Sequence, residues 1–164
     1  MKKTLLALFL LTACSRAATT TTTSTGPVTS STPATSVPRA GNLASGASSP
    51  VAAVEQFLLA VHGQDIQAMS VLFGTNRGPA RDNMNSDELE KRLIILQCYF
   101  NHDKFRILGE SPGEAGHRVV ATELTRGSVV RNPRFYAIRG PSNRYYVDNM
   151  EIAAVRDFCR SGNR

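Results

Sequence analysis

Tyr145, Tyr146 and Asp148 lie close together near the end of the chain, and their side-chain types suit acid–base chemistry. A carboxylate beside a phenol can serve as a general base when burial raises its pKa. In a regular strand Tyr146 and Asp148 share one face and Tyr145 takes the other, so Tyr146 and Asp148 are the ligand-binding candidates. The plainer reading packs one tyrosine in the core and leaves Asp148 exposed near a strand end. His62, His102 and His117 are scattered, with none at helical spacing from another ligand type. They suit helix ends and turns better than a metal site, which needs several donors converging. No Gly-rich phosphate loop, nucleophile elbow or paired-cysteine metal motif is present. The expectation is a chain without metal or cofactor, with no catalytic residue assigned and an enzyme the weaker reading.

The elements that must position these residues divide into helices first and strands afterwards. Ser49-Pro50 supplies an N-cap followed by proline at the first helical position. Val51, Val54, Leu58 and Val61 then recur at helical spacing up to Gly63. A second short helix carries Ile66, Met69, Leu72 and Phe73, and Gly74 stops it. Asn85 with Glu88 forms a capping box, ahead of an apolar stripe of Leu89, Leu93, Leu96 and Phe100. Strands are expected over 105–109, 117–125, 135–139 and 144–150, separated by turn clusters at 111–116 and 140–143. The stretch 126–133 reads equally as bulged strand or loop. This order predicts an α+β fold, with helices packed on one face of a curved antiparallel sheet.

The first residues form an address. Lys2 and Lys3 precede the short apolar core Leu5–Leu11, the layout of a secretory signal. That core falls well short of the ~20 apolar residues that span a bilayer. Leu11-Thr12-Ala13-Cys14 resembles the lipobox of bacterial lipoproteins. The resemblance implies lipid on the Cys14 thiol, cleavage after Ala13 and attachment to the cell membrane or outer membrane on the extracytoplasmic side. Two or more acyl chains, at about 0.8 kcal/mol per buried methylene, make such an anchor stable. The expected division is a signal peptide over 1–13, a lipidated and disordered tether over 14–49, and a domain over 50–164. The tether is rich in Thr, Ser, Ala and Pro and holds no acid and no aromatic residue, too little apolar surface to offset chain entropy. Its span as a coil is roughly 30 Å.

Once Cys14 carries lipid, Cys98 and Cys159 are an even pair in an oxidising compartment, which predicts a disulfide between them. From residue 50 onward 15 Lys and Arg face 13 Asp and Glu, so the basic pI comes partly from the signal and tether. Between Lys104 and Arg144 eight bases face three acids, giving a basic sheet or simply solvated arginines. Export makes nucleic acid an improbable partner.

The opening Val54-Glu55-Gln56-Phe57-Leu58-Leu59-Ala60, then Gly63-Gln64-Asp65, Ala68 and Leu72, is similar to that of nuclear-transport-factor-2-like domains. That resemblance rests on apolar and corner positions at the start of the domain. It implies a cone of helices on a strongly bent sheet, with a pocket at the open end. Enzymatic relatives carry Asp, His or Tyr inside the cone, and no such set maps here residue by residue. The expected function is a membrane-anchored, non-enzymatic module that binds a small apolar ligand or an envelope protein. The alternatives are a small isomerase- or hydrolase-like enzyme using Asp148, and a structural lipoprotein that touches cell-wall polymer.

Overall fold

Ser49 accepts a hydrogen bond from the Ala52 amide and Pro50 fills the first helical position, so α1 begins where its capping chemistry places it, Pro50–His62. The structure is a computed structural model that describes residues 45–160. The signal, Cys14 and the tether up to residue 44 lie outside the described residues. Gly63 closes α1 at a right-handed φ of −74°, and the left-handed corner falls one residue later, on Gln64 at φ 55°. Asp65 then caps α2, Ile66–Leu72, by accepting from the Ala68 amide.

A tight two-stranded ribbon follows, β1 Gly74–Thr75 paired with β2 Gly78–Pro79. A side chain at Gly74 would place its Cβ 2.4 Å from the Gly78 carbonyl oxygen, so only glycine fits there. Asn85 receives the Asp87 and Glu88 amides and starts α3, Ser86–Phe100. The expected stripe Leu89, Leu93, Leu96 and Phe100 is the buried face of α3. Glu88 and Arg92 pair one turn apart on the exposed side at 3.4 Å.

The sheet is antiparallel throughout, in the order β3 Lys104–Pro112, β4 His117–Arg126, β6 Arg134–Arg139, β7 Tyr145–Met150. The ambiguous stretch resolves as β5, Val129–Arg131, folded back on the end of β4. The expected α+β class, with helices and an antiparallel sheet, therefore holds. Helix α1 packs across β3, β4, β6 and β7. Between them Val54, Phe57, Leu58 and Val61 meet Val120, Leu124, Phe135 and Val147, all fully buried. Thr122, also fully buried, stays satisfied because its hydroxyl and amide both donate to the Pro133 carbonyl, at 2.9 and 3.2 Å.

Two features lie at the ends of this unit. Ser45 to Ser49, assigned to the expected tether, pack against the sheet. Ala47 is fully buried and exchanges two backbone hydrogen bonds with Tyr145 on the edge of β7, while Arg144 donates to the Ser45 and Gly46 carbonyls. At the other end a 3-10 turn, Ile152–Val155, leads into α4, Arg156–Arg160. The predicted disulfide is present: Cys98 and Cys159 are bonded, with their Cα atoms 4.9 Å apart, joining α4 to α3. No helix among the described residues is long and apolar enough to cross a membrane.

Candidate functional site

β7 does not alternate as a regular strand would. Tyr136 and Ala137 are neighbours on β6, yet their partners on β7 are Asn149 and Val147. Asp148 is therefore the extra residue of a β-bulge, which re-aims its side chain. Tyr146 and Asp148 still project from one face, since Asp148 reaches His117 and His117 shares a register row with Tyr146, but they line separate cavities and do not form one site. Tyr146 is buried against Gly46 and Gly140, at positions where an added Cβ would lie 2.8 Å from its ring, and its hydroxyl sits 3.4 Å from that of Ser45.

Asp148 instead meets His117, whose Nε2 lies 2.6 Å from its Oδ2. The two side chains are 21% and 25% exposed. The other ring nitrogen, Nδ1, is 3.0 Å from the Glu114 carbonyl oxygen in the turn before β4. Both nitrogens thus face acceptors, the arrangement of an imidazolium. The hydrogen bond to Asp148 is the main cause holding the His117 pKa above its ordinary value, and the Glu114 carbonyl adds to it. Tyr136 meets the imidazole edge-on at 6.4 Å between ring centres. With Gly113, Arg134 and Asn149 these residues line a polar cleft of about 530 Å³.

Chemically this pair is a latch. A histidine acting as a base needs one nitrogen bare towards substrate, and here the protein occupies both. Sequence spacing gave no sign of the pairing, because β4 and β7 are separated by β6. Only the register row His117, Ile138, Tyr146 brings the two strands' residues together.

His62 and His102 form a second histidine contact, with ring centres 5.5 Å apart. His62 ends α1 as expected and its Nδ1 donates to the His102 carbonyl. His102 is buried, and its Nδ1 donates to the Phe100 carbonyl at 2.8 Å. Burial lowers the pKa of His102, opposed by that hydrogen bond. The two shifts predict opposite pH dependences. The raised His117 contributes stability fully below pH ~6.5, lost as pH rises through its folded value. The depressed His102 contributes stability above pH ~6.5, lost as pH falls through its folded value. Urea titrations of the wild type and His117→Gln are expected to diverge most near pH 6 and converge by pH 9. A gap that stays constant across that range would remove the latch from the account.

Asp148 also borders a second feature, a groove of about 450 Å³ between α3 and β7. Its floor is apolar, formed by the buried Phe73, Leu96 and Met150 with the half-buried Ile152. Ile95, 54% exposed, makes the lip. Charged and polar groups stand around it: Glu88, Lys91 and Arg92 from α3, facing Asp148 and the neutral Asn149 from β7. On α3 the lining residues Glu88, Arg92 and Ile95 run one position beside the buried stripe. The groove lies within the 300–1,000 Å³ range of small-molecule sites and has their usual apolar floor with a few polar groups.

The arginines of the sheet are largely neutralised. Arg106 pairs with Glu123, Arg118 with Glu110, Arg131 with Asp157 and Arg134 with Glu151, all within 3.1 Å. Arg139 donates to the Tyr145 hydroxyl and lies over its ring, and Arg126 donates to the Phe158 carbonyl. No cluster of three or more potential metal-binding His, Cys, Asp or Glu side chains occurs among the described residues. No protein-family model, curated protein or solved structure matches this chain.

Proposed function

We propose that this chain is a lipid-anchored protein of the bacterial envelope whose α+β domain is a non-enzymatic binding module. It takes a small amphipathic molecule in the groove between α3 and β7. The observation that carries this reading is the groove itself, an apolar floor of Phe73, Leu96, Met150 and Ile152 inside a charged rim. The anchor rests on the resemblance of Leu11–Cys14 to a lipobox, and a cone like that of nuclear-transport-factor-2-like domains would place such a groove at its mouth. Catalysis by Asp148 is disfavoured because His117 engages its carboxylate while both ring nitrogens are occupied. Wall contact through a basic sheet is disfavoured because four of its arginines are matched by acids.

The test uses the full chain and the neutral fluorescent probe N-phenyl-1-naphthylamine. Saturable binding is expected, weakened about tenfold or more by Ile95→Glu, since a carboxylate at the lip opposes an apolar guest. Ile95 is exposed, so melting temperature should barely change. Equal binding by the variant, or none by the wild type, rejects the groove. Separately, Cys14→Ser should release the protein from the membrane fraction or leave its precursor uncut; an unchanged lipid-modified mass refutes the anchor.

A further inference from the structure

The rim of the α3–β7 groove has a specific charge arrangement, and its balance depends on a group outside the groove. Glu88 is engaged by Arg92 at 3.4 Å and Asp148 by His117 at 2.6 Å. Among the described residues lining the groove, this leaves Lys91 as the cation without an ion pair. A guest whose chain lies on Phe73, Leu96 and Met150 therefore meets a net positive rim while His117 is protonated.

We infer that the groove selects a single-chain amphiphile with an anionic head, and that the His117–Asp148 latch makes this selection pH-dependent. The inference rests on the groove being the binding site. With the imidazolium in place, the Asp148 carboxylate is neutralised by a partner on the far side of β7 from the groove. Loss of that proton leaves at most one N–H for two acceptors, Asp148 and the Glu114 carbonyl. The Asp148 charge then stands unbalanced beside Lys91 and cancels it. An anionic head loses its complement, and a cationic head gains one.

The remaining charged and titratable groups around the pair do not supply a substitute proton. From β6, Arg134 is held by Glu151 and Tyr136 offers its ring edge-on to the imidazole. From the turn, the Glu114 side chain lines the polar cleft, and from α3, Glu88, Lys91 and Arg92 face Asp148 across the groove. His117 is thus the titratable link between the polar cleft and the rim.

Three amphiphiles with the same twelve-carbon chain test this on the full chain: dodecanesulfonate, dodecyltrimethylammonium and dodecyl maltoside, each below its micelle concentration. The sulfonate and ammonium heads keep their charge at every pH used. From pH 5.5 to 8.5 the sulfonate should weaken about three- to tenfold, the ammonium should strengthen, and the maltoside should not change, as expected for one unit charge near a partly exposed site. His117→Gln should keep maltoside binding and flatten the other two pH profiles. Lys91→Gln should weaken the sulfonate, strengthen the ammonium and leave the maltoside unchanged. Sulfonate binding that does not change with pH, or changes equally in His117→Gln, overturns the latch while leaving the groove standing. Absence of binding by all three overturns the groove as well.

Discussion

Replacing Cys98 and Cys159 together with alanine is expected to lower the unfolding free energy by about 4 kcal/mol. The bond joins residues 61 apart in sequence, and on the chain-entropy account a loop of that length restricts the unfolded state by that amount. A small domain has ~5–15 kcal/mol in total, so the loss is a large fraction of it. The folded side of the balance sets a limit on the damage. Val155 and Phe158 are buried in their own right, and Arg131 reaches Asp157 at 2.6 Å. The C-terminal segment should therefore stay docked in the variant, with its ends fraying first. Urea unfolding of the full chain with and without reductant reads the effect directly. A midpoint indifferent to reductant, with both thiols found free by mass mapping, would show that the bond does not form.

The second large effect should come from Phe135→Ala, at about 3–5 kcal/mol. Phe135 projects from β6, is fully buried, and lies 5.0 Å from the Phe100 ring and 6.4 Å from that of Phe57. It is thus a side chain at which α1, α3 and the sheet meet. Its truncation leaves a cavity that fixed backbone on three sides cannot fill. Its register partner is Met150, part of the groove floor, so probe binding should weaken along with stability. Phe135→Leu should recover more than half of the lost stability by refilling volume. Equal melting temperatures for the wild type and Phe135→Ala would refute this central role.

Where local chemistry decides structure, the sequence was a good guide. The cap Ser49-Pro50, the Asn85 cap and the α3 stripe each depend on residues within a turn or two, and each appears as read. The Cys98–Cys159 bond was legible from cysteine count and expected compartment. The stop at Gly63 was legible, but which residue of Gly63-Gln64-Asp65 turns left-handed was not, because glycine does not by itself fix that choice. The bulge at Asp148 was not legible because it is set by pairing with β6, and nothing in Tyr145–Met150 announces it. The groove draws on the end of α2, one side of α3, β7 and the following 3-10 turn. The latch spans two strands that are not neighbours. Both are products of tertiary assembly, which local periodicity cannot encode.

The way the chain enters the domain has a mechanical consequence. A pull applied at Ser45 loads the Gly46 amide's bond to the Val71 carbonyl on α2, and with it the two bonds between Ala47 and Tyr145 and the two donated by Arg144. The latter lie along the edge of β7, where a force can peel bonds open in succession. The opposite end is covalently riveted to α3. Yielding should therefore begin at β7 and spread through the Phe73–Val147 bridge beside the groove, so that tension would open the groove before it unravels the helices.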